Sequence, residues 1–173
     1  MSGKAEIAVL DAEAARAVID DLADILKDCV AGGASVNFMH PFSHADAKKF
    51  FEKVIPTIAR GETILLGAWL DGRVVGTVQL GLDTPPNQQH RAEVKKLLVH
   101  RSARGRGIGA ALMQHIEAVA KKHGRTLLTL DTASAEAERL YQHSGWQRLG
   151  VIPDYAMWPR GGFCDTVIFW KKL

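Results

Sequence analysis

Two arginines and three glycines stand together at Arg104-Gly105-Arg106-Gly107-Ile108-Gly109, between an apolar strand pattern and an amphipathic helix pattern. Glycines let backbone N–H groups approach an anion without a Cβ in the way. A helix starting near Gly107 aims its unpaired N–H groups and the positive end of its dipole at the same spot. Arginine adds paired donors suited to phosphate oxygens. The segment reads as a phosphate cradle.

Which phosphate it holds depends on the surroundings. A nucleoside-triphosphatase loop ends in Gly-Lys-Ser/Thr, and Ile108-Gly109-Ala110 does not supply that ending. A dinucleotide fold, and with it an oxidoreductase, stays open. Gly105, Gly107 and Ala110 satisfy G-x-G-x-x-A, and Asp131 ends the next strand where a ribose-binding acid would stand. Against it, the cradle lies past mid-chain behind a hairpin, and His100 to Arg104 separate the strand from the first glycine.

The elements that position the cradle follow from periodicity. Glu6 to Leu10 reads as a strand, followed by a helix with Val18, Leu22, Ile25 and Cys29 on one face, ended by Gly32-Gly33. The stretch 34–41 carries large apolar side chains without a period and suits a pocket lining. Ser43 caps a second helix with an apolar stripe of Ala47, Phe50, Phe51, Val54, Ile55 and Ile58, which Pro56 should kink or shorten. Strands at 63–70 and 73–82 meet at Asp71-Gly72, a type I′ hairpin signal. A strand at 92–99 leads into the cradle, whose helix buries Ile108, Leu112, Ile116 and Val119 and stops at Gly124. A strand at 126–130, a short helix around Ala137, Leu140 and Tyr141, and closing strands at 146–151 and 166–170 complete the order. Tyr155, Trp158 and Gly161-Gly162 fall in the loop between those last two strands.

A length of 173 residues with no internal repeat or linker predicts a single domain spanning 1–173. An apolar share of 47% with 24% charged residues is that of a soluble globular protein. The start Met1-Ser2-Gly3-Lys4-Ala5-Glu6 lacks a signal-peptide core and no window reaches spanning length, so a cytoplasmic location away from membranes is expected. A net charge of +3 without basic runs suits a polyanionic cofactor and predicts no nucleic-acid partner. Cys29 and Cys164 and the seven histidines lack metal-ligand spacing, so no metal is expected.

Leu97-x-Val99 followed by Arg104-Gly105-Arg106-Gly107-Ile108-Gly109 and Leu112 resembles the acyl-CoA signature of the GNAT superfamily of N-acetyltransferases. The element order is similar to that family's across nearly the full length. The segments 32–36, 91–94, 102–107 and 130–132 resemble, within the family, an enzyme that acetylates a toxic amino-acid β-lactam of the tabtoxin type. The resemblance implies a mixed α/β fold, with a central, mostly antiparallel sheet and helices on both faces. It also implies acetyl-CoA as cosubstrate and a small-molecule amine as acceptor, such as an amino-acid-like antibiotic or toxin, for a protein that is a monomer or homodimer.

By that resemblance, backbone groups of Leu97, Leu98 and Val99 pair with the pantetheine arm. The amides of Arg104, Gly105, Arg106, Gly107, Ile108, Gly109 and Ala110 hold the pyrophosphate. Glu93, which strand alternation puts on one face with Lys95, Leu97 and Val99, is a candidate base for the acceptor amine; a solvated carboxylate is the alternative. Asp131 is a second candidate at the end of a strand that splays away in the family, with helix capping as its alternative. Tyr141 suits proton donation to the departing CoA sulfur, or else anchors its helix by packing. Ser134 stands where many relatives carry an asparagine that contacts the cofactor. Ser35, Asn37 and Phe38, with Met39, Tyr155 and Trp158, form the candidate acceptor pocket, and Lys95 and Lys96 read as solvated or phosphate-facing. Neither cysteine falls in a catalytic pattern, so direct transfer is expected. A catalytically silent CoA-sensing or partner-binding module on the same fold is the remaining alternative.

Overall fold

The computed structural model describes residues 3–173; Met1 and Ser2 of the N-terminal segment read above lie outside the described residues. The chain runs β1 (Glu6–Leu10), α1 (Ala12–Ala17), α2 (Ile19–Ala31), α3 (His44–Ala59), β2 (Thr63–Leu70), β3 (Arg73–Gly81) and β4 (Arg91–Val99). It continues with α4 (Ile108–Lys122), β5 (Leu127–Thr132), α5 (Ala135–His143), β6 (Gln147–Met157) and β7 (Phe163–Lys172). One seven-stranded sheet has the order β1-β2-β3-β4-β5-β7-β6, and β4 with β5 is its parallel pair. No helix among the described residues is long and apolar enough to cross a membrane.

Both faces of β2 are buried, which is why it reads as nearly continuous apolar sequence. Leu66, Ala68, Val78 and Leu80 face Ile108, Leu112 and Ile116 of α4, while Leu65 and Val74 face Leu22, Leu26 and Phe51 of α2 and α3. Gly76 lets α4 sit close: a Cβ there would meet Ile108 at 3.1 Å and Leu112 at 3.2 Å. The Asp71-Gly72 turn has φ of 50° and 79°, as the hairpin signal required.

Three local expectations fail for identifiable reasons. The first helix is two, because Val18 leaves helical geometry at φ −111° and ψ 20°. The second is not shortened but runs through Pro56 to Ala59: Pro56 and Glu52 are both exposed, so water can reach the carbonyl freed of its partner. Thr57 Oγ1 donating to the Val54 carbonyl at 2.7 Å also holds that turn. The closing hairpin is longer than expected, with Tyr155 inside β6. Pro153 is tolerated because β6 is an edge strand with a register break between Ile152 and Ala156 and Asp154 at φ 52°.

The most consequential irregularity is in β4. Thr77 pairs with Leu98 and Gln79 with Lys95, so Lys96 and Leu97 together oppose Val78 in a β-bulge, with Lys96 at φ 55°. The extra residue reverses the alternation. Leu97 and Val99 join Ala92 and Val94 in the core under α4, and Leu98 joins the α2 side. The expectation that Glu93 shares a face with Leu97 and Val99 is thereby corrected.

Beyond the pairs Arg91–Leu127, Ala92–Leu128 and Glu93–Thr129, β4 and β5 have no further rungs and diverge. The closed end of this wedge is pinned by Arg125, whose guanidinium donates to the carbonyls of Gln89 (2.6 Å), Arg91 (3.1 Å) and Leu82 (3.3 Å).

Candidate active site

The wedge opens onto a cavity of about 770 Å³ walled by the cradle, the end of β4, the start of α5 and the β6–β7 hairpin. Its position outside the carboxyl ends of two parallel strands is where open α/β sheets bind ligands. The turn into α4 is set by side chains that grip its approach. Asp28 accepts from the Arg101 backbone at 2.8 Å and from its guanidinium at 2.7 Å. Partial burial works against the charge of Asp28, yet these bonds and the neighbouring His100 and Arg101 hold its carboxyl below the usual range. Arg104 Nε donates to the Val99 carbonyl at 3.1 Å, fixing that side chain against the strand it follows.

Gly105 and Gly107 adopt φ of 74° and 73°, and a Cβ at either would meet no protein atom within 4 Å. Gly107 is the N-cap of α4 and provides no side-chain cap, so the first amides of the helix face the cavity without a capping partner. The open space at these glycines and the uncapped helix start fit a phosphate group such as a CoA pyrophosphate. Arg104, Gly105, Gly107, Ile108, Gly109 and Ala110 lie on the cavity wall with Leu97, Leu98 and Val99, whereas Arg106 stands outside it. Ser134, also on the wall, caps α5 by accepting from the Ala137 amide at 3.2 Å. Asp131 is thus not the helix cap.

Asp131 and Tyr141 face the same cavity. Asp131 is exposed, and its Oδ2 accepts from Thr166 Oγ1 at 2.7 Å. Tyr141 is buried against Trp146 and Phe169, with ring centroids at 6.0 and 5.6 Å. Burial first, and the Asp131 charge second, push its hydroxyl well above the ordinary phenol range, so it keeps its proton. Glu93 opens instead onto an adjoining cavity of about 130 Å³ that shares Asp131, Tyr155 and Thr166 with the larger one.

Of the acceptor-pocket candidates, Ser35, Asn37 and Tyr155 line the large cavity, as does Trp158. Phe38 does not; its ring packs on Phe42 at 4.6 Å and Phe50 at 5.3 Å. Residues with no signal in the sequence also reach the wall. Thr166, Cys29 and Cys164 do so, and Lys96, open between a solvated and a phosphate-facing place in the sequence, joins them half-buried. Burial raises the Cys29 thiol, which donates to the Val99 carbonyl at 3.7 Å and stays neutral.

A model of the acetyltransferase (GNAT) family matches residues 16–146. The chain belongs to this family. A curated relative, IAA acetyltransferase of Azospirillum brasilense, is 32% identical over 113 residues, covering 64% of this chain and 72% of that protein. The ribosomal-protein-alanine N-acetyltransferase of Brucella melitensis has the same fold, with a TM-score of 0.79 at 21% identity over 97% of this chain and 99% of that one. A phosphinothricin acetyltransferase of Sinorhizobium meliloti, solved with acetyl-CoA, gives 0.82 at 18% identity over 99% of this chain and 89% of that one. The protein is therefore an acetyltransferase of the GNAT family. The oxidoreductase alternative falls, and the physical reason is in the sheet: strand pairs on both sides of β4–β5 are antiparallel, not the parallel repeats of a dinucleotide fold.

Proposed function

We propose that this GNAT enzyme transfers the acetyl group directly to the primary amine of a small, amino-acid-like molecule, of which a tabtoxin-type β-lactam is one candidate. The observation that carries this reading is the shared wall: a carboxylate, a protonated phenol and a backbone anion cradle surround one cavity. The segments that resemble a β-lactam-acetylating enzyme support the acceptor class.

Acetyl-CoA supplies the activated acetyl group, held along 97–99 and at the start of α4. An acceptor amine arrives as an ammonium and must lose a proton before it can attack. Asp131 has Oδ1 free of the Thr166 bond and is suited to hold and deprotonate it, with Glu93 taking the proton onward from the adjoining cavity. Tyr141 Oη, kept protonated by its surroundings, is the donor to the departing sulfur. A neutral, hydrogen-bonded Cys29 offers no thiolate to carry an acyl group, in keeping with direct transfer.

The test is CoA release from acetyl-CoA across amines, β-lactam amino acids, polyamines and peptides. Release with small amines and not peptides is expected. Silence with every acceptor would favour a CoA-binding module without activity.

A further inference from the structure

Lys96 is built into the cavity in a way the reaction chemistry does not require. It is the bulge residue of β4, held at φ 55°, a region that side-chain-bearing residues rarely enter. It lines the large cavity and is half-buried, and its ammonium lies 5.9 Å from the centroid of Phe50, above an aromatic group of Phe38, Phe42 and Phe50. Burial is the main influence disfavouring its charge, and Lys95 adds to it, whereas Asp131 and Glu93 favour the charge from a distance. Among the described residues, no carboxylate forms an ion pair with it. A desolvated cation without an anionic partner is costly to keep, and a ligand that brings the anion removes that cost.

The charges around the acceptor end are therefore of both signs. Asp131, with one oxygen engaged by Thr166, faces the cavity as an anion, and Lys96 faces it as a cation. A simple amine satisfies only the first. A molecule carrying both an ammonium and a carboxylate satisfies both.

We propose that Lys96 is an anion subsite that binds the carboxylate of a zwitterionic acceptor whose amine rests on Asp131, making free amino acids, rather than simple amines, the preferred substrate class. This deepens the proposed function and rests on its placement of the amine at Asp131. The Phe50 ring keeps water from one side of the ammonium, which strengthens its pull on an entering carboxylate.

The experiment is calorimetric binding to the CoA-loaded protein, followed by acetyl-CoA turnover. The probes are free L-amino acids, their amides and their decarboxylated amines. In the unaltered protein the free acids should bind about ten- to hundredfold more tightly than the matching amides and amines. Lys96→Met should abolish that preference by weakening the acids alone, and Lys96→Arg should restore part of it. The Kd for acetyl-CoA should not change in either variant. Equal binding of acids and amines to the unaltered protein, no binding of either, or a loss of acetyl-CoA affinity in Lys96→Met would each overturn the subsite. Binding with the expected preference but no CoA release would instead keep the subsite and sink the transferase assignment of the acceptor.

Discussion

The two ends of the cavity are made from different materials. The cradle end is backbone: amides at the start of α4, shaped by Gly105 and Gly107 at positive φ and by a wall residue, Gly109, whose added Cβ would touch Leu140 at 3.4 Å. The end proposed for the acceptor is side chains: Asp131 from β5, Tyr141 from α5, Lys96 from β4, Ser35 from the segment after α2 and Tyr155 from β6. A site made of backbone demands particular residues at consecutive positions, whereas one made of side chains needs only that distant positions converge. The first can serve one ligand, while the second is free to change its guest.

If the ends are separable, changes at each should move different quantities. The largest effect is expected from Asp131→Ala, which should lower kcat/KM for the acceptor by about 10²–10⁴ with an unchanged acetyl-CoA Kd, with Glu93→Ala in the same direction but smaller. Near-normal steady-state turnover in both variants would remove the base assignment. Tyr141→Phe keeps the ring packing and should lower kcat by about 10², again without loss of acetyl-CoA affinity. A large loss of affinity would make Tyr141 a packing residue. In the unaltered enzyme, because burial and Asp131 raise this phenol, kcat should not decline at the ordinary phenol value of about 10. The pH profile at saturating substrates checks that sign.

Changes at the cradle should read out the other way. Gly107→Ala places a Cβ into open space within the cradle and should weaken acetyl-CoA by about tenfold while leaving the acceptor KM alone. The unfavourable φ should also cost about 1–2 kcal/mol of stability in urea unfolding. The smallest effect is expected from Ser134→Ala, which removes the α5 cap for about 1 kcal/mol of stability and should leave acetyl-CoA affinity within twofold, about 0.4 kcal/mol. A larger loss of affinity would make Ser134 part of the cradle.

The same division governs what could be read in the residues. The bounds of β1 and β2, the Asp71-Gly72 turn and the start of α4 follow from periodicity and turn chemistry, because each is decided within a few neighbouring residues. The β4 bulge left no mark: Glu93-Val94-Lys95-Lys96-Leu97-Leu98 fits either alternation, and a lysine at positive φ is not a residue that pattern selects. The slip decides which side chains reach the cavity, so the residues alone left Lys96 open between a solvated and a phosphate-facing place. Phe38 was read into the pocket from its neighbours in sequence, but packing among three phenylalanine rings gave it another place. Thr166 gave no signal because its role is a single bond to Asp131 across the β5–β7 pair.

An open strand edge is ordinarily a hazard, because its free amides and carbonyls invite another chain to extend the sheet. By ceasing to pair with β5 after Glu93, β4 creates such an edge in the middle of the sheet, not at its rim. That edge lines a cavity walled by the start of α5 and the β6–β7 hairpin. The same divergence of the backbone that opens the cavity thus keeps the unpaired edge away from the rim of the sheet.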